Sequence, residues 1–368
     1  MHWNIKDTPL KETTAHLIEC LGVDAVVAQL LAQRGITTFE EARAFFRPHI
    51  GQLHDPFLMQ DMDKAVGRLQ QAIDQKEAVM VYGDYDVDGT TSVSLLTHFL
   101  RSQGLDVTPY IPDRYAEGYG LSKKGIDTAK AANISLMIAL DCGVKAIEQV
   151  AYAKTLGIEL IICDHHTPAD VLPDALAVLD PKRGDCTYPF KELCGCGVGF
   201  KLMQGLLQQQ GKEVNEIIAY LDFVAVAIAA DIVPMVGENR ALAFLGLQQL
   251  NTNPRPGLKA LMRDKQTGQI ISDVVFGMTP RINAAGRMKH GLDAVALLLS
   301  ASDEEAKKIA QEVETYNTSR REVEQEITKE ALAQIVVNKE TNNATNVVYA
   351  PHWHKGVIGI VASRLIET

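Results

Sequence analysis

No stretch of the sequence is apolar for long enough to cross a membrane. The longest uninterrupted apolar run is Phe223 to Ala230, between Asp222 and Asp231, whereas a spanning helix needs about 20 residues. The first residues also lack a basic patch followed by an apolar stretch, which is the pattern of a secretory signal. We therefore expect a cytoplasmic protein that has no membrane partner.

Paired cysteines are missing as well. The six cysteines include no C-x-x-C pair, which favours reduced thiols in a reducing compartment. Cys186, Cys194 and Cys196 lie close together in sequence, but their spacing is unlike that of zinc knuckles, and Gly195 and Gly197 are typical of tight turns. We therefore do not predict a zinc site.

Positive charge is scarce. The sequence has 36 Lys and Arg against 46 Asp and Glu, a formal net charge of −10, so the chain as a whole would repel a polyanion. Any contact with nucleic acid must therefore be local. Basic residues do gather at 182–183, 281–289 and 320–321, although on charge alone such groups are typical of solvated faces.

The chain alternates between strand-like and helical segments. Its 368 residues predict two or three packed units. Residues 1–75 predict an amino-terminal helical extension, because apolar residues such as Leu17 and Leu31 recur at helical spacing. Short apolar runs then alternate with helical stretches at 78–82, 107–111, 136–140, 160–163 and 176–179. This alternation predicts an α/β fold, a parallel sheet with helices on both faces.

The catalytic domain is predicted to span residues 76–250. A proline-rich break follows it, and residues 251–302 indicate a helical or mixed subdomain. Residues 303–340 are highly charged, with apolar residues at helical spacing, and predict one long connecting helix. Residues 341–368 indicate the start of an incomplete further domain, with a strand at 346–350, a glycine-bearing turn and the beginning of a helix.

The strongest chemical feature is the segment Val-Tyr-Gly-Asp-Tyr-Asp-Val-Asp-Gly-Thr-Thr at 81–91. Alternate side chains of an extended segment share a face, so Asp84, Asp86 and Asp88 can converge beyond the strand and bind a cation. Gly89 permits a tight turn, and the threonines after it can cap a helix whose amino terminus favours phosphate. Taken alone, the motif could also be an acidic surface loop.

Two further strand ends strengthen the prediction of a metal site. The sequences Leu-Asp-Cys-Gly and Cys-Asp-His-His place acids and imidazoles where predicted strands finish, and ligands of open parallel sheets bind at those ends. The crevice would receive four further side chains: Asp141, Asp164, His165 and His166. A fourth segment contributes Asp231. Asp222 lies half a turn away from it around the same helix, at ~100° per residue, so we interpret Asp222 as a solvated residue or a local cap.

Carboxylates with one or two imidazoles and no thiolate favour Mn²⁺ first and Mg²⁺ second. These acids exceed the needs of one ion, so we predict two ions about 3.5–4 Å apart, bridged by Asp141. Such a pair activates a shared water for in-line displacement at phosphorus, which makes phosphoester hydrolysis the predicted reaction. We assign catalysis to Asp141, Asp164 and His166, with His166 holding a phosphate oxygen or protonating the leaving 3′ oxygen.

Four blocks in this order resemble the motifs of the DHH phosphoesterase superfamily: Asp-Tyr-Asp-Val-Asp-Gly, Asp-Cys-Gly, Asp-His-His and Ala-Asp-Ile-Val-Pro. Residues 112–121, 280–288 and 353–364 resemble the RecJ family in particular, and the resemblance covers most of the chain from about residue 45. It implies a 5′→3′ exonuclease for single-stranded DNA in recombination and repair, with Mn²⁺ or Mg²⁺ and a narrow channel that excludes duplex. A helicase and a single-strand-binding protein are the partners that it implies.

The resemblance also implies roles for individual residues. The metal ligands would be Asp84, Asp86, Asp88, Asp141, His165 and Asp231, with His166 beside them. Arg114 would hold the terminal 5′ phosphate, because the planar fork of an arginine bonds two phosphate oxygens at once. The remaining substrate-binding residues would be Arg281, Asn283, Arg287, Ser363 and Arg364. The alternative for each arginine is a surface ion pair.

Two departures from the family pattern bear on these expectations. Many DHH proteins carry a His where this chain has Tyr82, so one metal site would rely more on Asp84. RecJ proteins continue through a full DHHA1 domain and an OB-like module, whereas this chain ends about twenty residues into the former. The alternative functions are a DHH phosphodiesterase for short oligonucleotides, cyclic dinucleotides or a nucleoside bisphosphate, a pyrophosphatase, and a non-catalytic scaffold.

Overall fold

The computed structural model describes residues 4–262 and 268–367. Five strands form its sheet: β1 Ala78–Gly83, β2 Asp106–Tyr110, β3 Leu136–Leu140, β4 Glu159–Cys163 and β5 Ala177–Leu179. All neighbouring strands run parallel, in the order β2-β1-β3-β4-β5. The predicted α/β fold with a parallel sheet is therefore confirmed, and each strand lies within one residue of its predicted run.

The first helices of the chain are α1 Lys11–Leu21, α2 Ala25–Ala32, α3 Phe39–Phe46, α4 Met62–Gln75, α5 Val87–Ser102, α6 Lys123–Ala131, α7 Ile147–Thr155 and α8 Gly195–Gln209. They are followed by α9 Leu221–Ala230, α10 Gly237–Thr252, α11 Pro256–Leu261, α12 Ile271–Asp273, α13 Thr279–Met288, α14 Gly291–Leu298, α15 Asp303–Val337 and α16 Ile358–Ile366. In the described part of the chain, every helix is too short or too polar to span a membrane.

The strand order creates a crevice between β1 and β3. The chain leaves β1 for β2 at one edge of the sheet and then crosses back over β1 to form β3. Loops from these two strands therefore diverge to opposite sides, and ligands of doubly wound sheets bind at such a switch point. The acidic segment after β1 and the Asp141 loop after β3 open onto it from either side.

Helices cover both faces of the sheet, as predicted. Val79 and Val81 of β1 join the larger apolar core with α5, α8 and α9, whereas Met80 and Tyr82 face a smaller core built with α6 and α7. This alternation is the period-2 pattern of a strand that is buried on both sides. The larger core continues without a break through α10, α11, α13, α14 and the first turns of α15. The predicted domain boundaries stay predictions.

The two ends of the chain carry small cores of their own. Leu17, Ala28 and Leu31 pack together between α1, α2 and α3. At the other end, α15 extends 35 residues and holds α16 through Ile327 and Val361. Its amino terminus is capped by the Ser302 hydroxyl, which accepts a hydrogen bond from the Glu305 backbone.

The strand predicted at 346–350 is wrong. A strand needs a neighbouring strand for its backbone hydrogen bonds, and no sheet strand lies beside this segment in the described residues. The side chain of Gln334 instead bonds the backbone of this segment, because it accepts from the Tyr349 N–H at 3.1 Å and donates to the Tyr349 carbonyl at 3.2 Å. The segment is thus extended but attached to α15 by an amide side chain.

Candidate metal centre

Three carboxylates surround one imidazole nitrogen at the switch point. Nε2 of His165 lies 3.1 Å from Asp141 Oδ1, 3.6 Å from Asp231 Oδ2 and 3.7 Å from Asp88 Oδ2. These side chains come from the ends of β3, β4 and α9 and from the first turn of α5. Asp88, Asp141 and His165 are buried, so the cluster lies at the base of the crevice.

The start of α8 fixes the carboxylate of Asp88. Its oxygens accept hydrogen bonds from the backbone N–H groups of Gly195 at 2.6 Å and Cys196 at 2.8 Å. The positive amino terminus of a helix is well suited to hold a carboxylate. Asp86 caps α5 by accepting from the Gly89 N–H at 3.0 Å, and a Cβ on Gly89 would lie 2.4 Å from the Asp84 carbonyl oxygen. The motif therefore needs glycine at this position.

Asp141 adopts a strained backbone conformation. Its φ is 59°, in the left-handed region that residues other than glycine, asparagine and aspartate rarely enter. The hydrogen bond from its N–H to the Cys163 carbonyl at 2.9 Å helps to hold it there. Such strain is concentrated at functional sites, where the surrounding structure maintains it. Here it directs the carboxylate into the crevice.

Several polar atoms of the centre are buried without a hydrogen bond. They are Asp84 Oδ1, Asp141 Oδ1, Asp231 Oδ2 and His165 Nδ1. An unpaired buried acceptor costs about 1–3 kcal/mol, and three such oxygens at one place need a compensating ligand. Oxygen donors with one or two imidazoles, His165 and His166, and no thiolate match Mn²⁺ or Mg²⁺. The residues present therefore fit a hard divalent cation.

Three carboxyl groups of the centre, those of Asp84, Asp88 and Asp141, have raised pKa values. Burial, together with the nearby charge of Asp86, raises the pKa of Asp84 to about 7. Burial and the charges of neighbouring aspartates also raise the pKa of Asp88 and of Asp141. Crowded like charges disfavour ionisation, so the fully ionised cluster is unstable by itself. A bound divalent cation would reverse this effect by supplying positive charge.

Asp164 lies beneath the two histidines and orients one of them. Its carboxylate accepts from the Val144 N–H at 2.9 Å and contacts His166 Nδ1 at 2.7 Å. Burial would raise the pKa of Asp164, but the hydrogen bonds from His166 and Val144 lower it below its ordinary value. Nε2 of His166 lies 3.4 Å from the hydroxyl of Tyr119. Asp164 therefore holds His166 and lies outside the group of carboxylates around His165 Nε2, and its predicted part in catalysis stays a prediction.

Two of the predicted substrate-binding arginines lie beside the acidic cluster. The guanidinium of Arg114 stacks 3.8 Å from the ring centroid of Tyr85 and donates to the Gly286 carbonyl at 3.2 Å. Arg287 is half-buried and donates to the Gly356 carbonyl at 2.9 Å. Burial and the neighbouring cation Arg114 lower the pKa of Arg287. Two arginines in one place favour an anionic ligand.

The other predicted substrate-binding residues lie on α13 and α16. Arg281 forms an ion pair with Glu314 at 2.6 Å and donates to the Leu261 carbonyl, and Asn283 is half-buried on the same helix. Arg364 pairs with the buried Glu324, and Ser363 donates to the Gly359 carbonyl. Their roles toward substrate stay predictions.

Sequence reasoning missed the N–H groups that anchor Asp88 and the aromatic residues of the crevice. The anchor lies 107 residues away from Asp88 in sequence, and the only signal for it is the run of glycines at the start of α8. Asp222 stays outside the cluster, as predicted, but the interpretation as a solvated residue is wrong. It is fully buried and receives two hydrogen bonds from Arg255, at 2.7 and 2.8 Å.

Comparisons with known proteins give the family of this chain. The family model described as "DHH family, N-terminal domain" matches residues 78–228. A protein of Bacillus subtilis (strain 168), "Single-stranded-DNA-specific exonuclease RecJ", is 40% identical over 370 residues and covers 100% of this chain. A crystal structure of exonuclease RecJ bound to manganese is 32% identical, covers 87% of this chain and 79% of its own, and has a TM-score of 0.75. The chain belongs to the RecJ family.

A second RecJ structure, from Thermus thermophilus in complex with Mn²⁺, superposes with a TM-score of 0.86 at 29% identity. It covers 99% of this chain and 52% of its own length, and the RecJ of the same organism has also been solved with Mg²⁺. The chain spans 46% of the length of the Bacillus protein, about half of that RecJ. The DHH sheet and the acidic cluster lie within the shared part.

Replacing Gly195 by alanine should weaken metal binding. A Cβ at Gly195 would lie 2.6 Å from the Cβ of Asp141 and 2.9 Å from its Oδ1, so the carboxylate must move. Disturbing the support of a ligand typically costs 10–100-fold in metal affinity, and we expect a loss of this size for Mn²⁺ in a calorimetric titration. Gly197→Ala is the matched control, because its Cβ would meet Leu193 at an ordinary 3.4 Å. Equal affinities for the two variants would contradict the prediction.

Proposed function

We propose that this chain is a single-stranded-DNA-specific 5′→3′ exonuclease that hydrolyses phosphodiester bonds with two divalent cations. The observation that carries the proposal is the convergence of Asp88, Asp141 and Asp231 on His165, with Arg114 and Arg287 nearby. A cation-binding cluster next to an anion-binding one suits the phosphate end of a nucleic acid strand. Membership of the RecJ family supports the choice of DNA as the strand.

The residues present divide naturally between two cations. Asp88, Asp141, His165 and Asp231 would hold one, and Asp84, Asp86 and Asp141 would hold the other. Mn²⁺ is the first choice and Mg²⁺ the second, in agreement with the metals of the RecJ structures. When bound, such ions lower the pKa of a water and neutralise the charge that develops at phosphorus.

The chain's own side chains bind and orient the strand. Arg114 is oriented for a phosphate by the ring of Tyr85, and Arg287 adds a second cation. His166 has its Nδ1 held by Asp164, so its Nε2 faces the crevice and can bond a phosphate oxygen or the leaving 3′ oxygen. Ser363 and Arg364 would complete the phosphate pocket, and Arg281 and Asn283 would follow the strand's path.

The biological setting follows from the same proposal. An exonuclease of this kind acts in DNA recombination and repair, in the cytoplasm, on single strands that a helicase opens and a single-strand-binding protein covers. The net charge of −10 would repel DNA at long range. The arginines of the crevice must therefore supply the local attraction.

The test is degradation of a 5′-phosphorylated, 3′-labelled single strand beside a duplex and a five-nucleotide RNA, with Mn²⁺, Mg²⁺ or a chelator. We expect stepwise loss from the 5′ end of the single strand, abolished by the chelator. Activity on the short RNA alone would replace the proposal with a small-substrate phosphodiesterase. No activity with either metal would favour a scaffold.

Replacing Arg114 by alanine should remove the preference for a 5′-phosphorylated end. Hydrogen bonds to charged groups contribute about 1.5–3 kcal/mol, which corresponds to a loss of about 10- to 160-fold in kcat/KM for the phosphorylated strand. The strand with a 5′ hydroxyl should lose much less. Arg101→Ala is a matched control, since Arg101 lies on α5 and donates to the Val107 carbonyl away from the cluster. Equal losses on both strands would contradict the assignment of Arg114.

A further inference from the structure

A cleft of about 730 Å³ lies between the amino-terminal helices and the start of α10, outside the metal centre. One wall comes from α3 and the segment before it, and the other from residues 235–241. Asp231 precedes Met235 by four residues, so the two Cα atoms are at most ~14 Å apart. The cleft is therefore a near neighbour of the metal centre.

Arg240 is the central cation of this cleft. Its guanidinium stacks 3.8 Å from the ring centroid of Phe45, and its Nε donates to the Phe45 carbonyl at 2.8 Å. These contacts attach α10 to α3 but leave both terminal nitrogens without a partner among residues 4–262 and 268–367. The side chain is half-buried, and burial lowers the pKa of Arg240 with no carboxylate to offset it.

The charged groups that line the cleft are mostly positive. Lys6 and Arg34 line it with Arg240, whereas the single acid in the lining is Glu41. The carboxylate of Glu41 is already engaged, because it accepts from the backbone N–H groups of Thr37 and Thr38 at 2.7 and 3.1 Å. Three cations against one satisfied acid give a positive cleft in a chain whose net charge is −10.

The amino terminus of α10 adds to this positive potential. Val236 is its N-cap and supplies no side-chain hydrogen bond, so the first N–H groups of this 16-residue helix are not capped by that residue. Val236 and Gly237 line the cleft. Asn239 holds the rim in place by donating to the carbonyls of Glu192 and Pro234, at 2.6 and 3.1 Å. Uncapped helix N–H groups favour an anion.

We propose that this cleft binds a phosphate group of a nucleotide. Arg240 presents two parallel N–H donors, the geometry that bonds two phosphate oxygens, and Ile36 and Met235 offer apolar surface to the attached nucleoside. The phosphate can come from the single strand beyond its cleaved end or from a free mononucleotide. The first source rests on the proposed function, whereas the second does not.

The test is binding to the full chain in chelator, where no cleavage occurs, with fluorescent oligo-dT of 4 and 16 nucleotides and with dTMP. We expect Arg34→Gln/Arg240→Gln to weaken binding of the 16-mer about tenfold and to leave the 4-mer unchanged if the strand is the source. The plot of the logarithm of the 16-mer association constant against the logarithm of salt concentration should become less steep by ~0.7 for each lost phosphate contact. Loss of dTMP binding alone would identify a mononucleotide site.

Two further variants test whether the loss of binding comes from the cleft itself. Arg240→Lys keeps the charge but loses the planar fork, so it should recover only part of the 16-mer affinity. Arg43→Gln removes a charge on α3 that pairs with Glu40 outside the cleft, and it should have no effect. Unchanged affinities of the double variant for the 16-mer and dTMP would overturn the proposal. If the parent chain cleaves no DNA but the double variant still loses affinity for the 16-mer or dTMP, the proposed exonuclease activity is rejected and the phosphate site in the cleft is retained.

Discussion

Replacing Asp141 by asparagine should abolish Mn²⁺-dependent hydrolysis and, at the same time, stabilise the metal-free chain. Asp141 is the carboxylate that both cations would share, and losing several kcal/mol of transition-state stabilisation means a fall in rate of about a thousandfold. Asparagine is preferred to alanine because it tolerates the φ of 59°. Single-turnover cleavage of a 5′-phosphorylated strand measures the loss.

The stability gain follows from the pKa of Asp141. Burial and the charges of Asp88 and Asp86 raise this pKa well above its ordinary value. A carboxyl whose pKa is higher in the folded than in the unfolded chain lowers stability at every pH above the unfolded value, about 3.9. Asparagine removes that penalty at pH 7, so the urea midpoint in chelator should rise.

Glu148→Gln is the control for Asp141→Asn, since it removes one negative charge from an exposed position of the same domain. It should change neither the rate nor the urea midpoint. Two results would contradict the interpretation of Asp141: a variant that still cleaves with Mn²⁺, or a metal-free variant that unfolds at a lower urea concentration than the parent chain.

Replacing Glu238 by alanine should cost about 3–5 kcal/mol of unfolding free energy. Glu238 and Lys201 form an ion pair at 3.3 Å, and both side chains are fully buried. Glu238 also accepts from the Tyr188 hydroxyl at 2.7 Å and from the His54 N–H at 2.9 Å. Among the described residues, its removal leaves the buried ammonium with one hydrogen-bond acceptor, the His54 carbonyl. Urea unfolding followed by circular dichroism measures the effect.

The double variant Lys201→Met/Glu238→Gln tests the cause of that loss. Removing both charges together avoids an uncompensated buried ion, and such replacements are often neutral. The double variant should therefore have a higher unfolding free energy than Glu238→Ala. Glu213→Ala lies outside the pair and is the control, so its unfolding free energy should equal that of the parent chain. A double variant as unstable as the single one would show that packing and not charge governs this site.

The sequence predicted the sheet and the acids at its edge because both depend on local pattern. Apolar runs flanked by turns located β1 to β5, and the position of Asp84, Asp141 and His165 just after strands followed from that assignment. The left-handed φ of Asp141 and the anchoring of Asp88 could not be predicted in this way. Both arise from contacts between segments far apart in the chain.

The failures have the same origin. Asp222 looked like a solvated residue because its partner, Arg255, lies 33 residues later. The strand expected at 346–350 had the right composition, but its formation depends on a neighbouring strand and not on its own residues. Single-sequence patterns describe which face a segment buries, and they do not identify the segment that covers it.

The most direct test of the metal centre is the number of Mn²⁺ ions that the chain binds, measured by calorimetry and electron paramagnetic resonance on the parent chain and on Asp141→Asn. We predict two ions per chain with the magnetic coupling of a bridged pair, and loss of that coupling in the variant. One uncoupled ion in the parent chain, or equal binding by both proteins, would contradict a shared site built on Asp141.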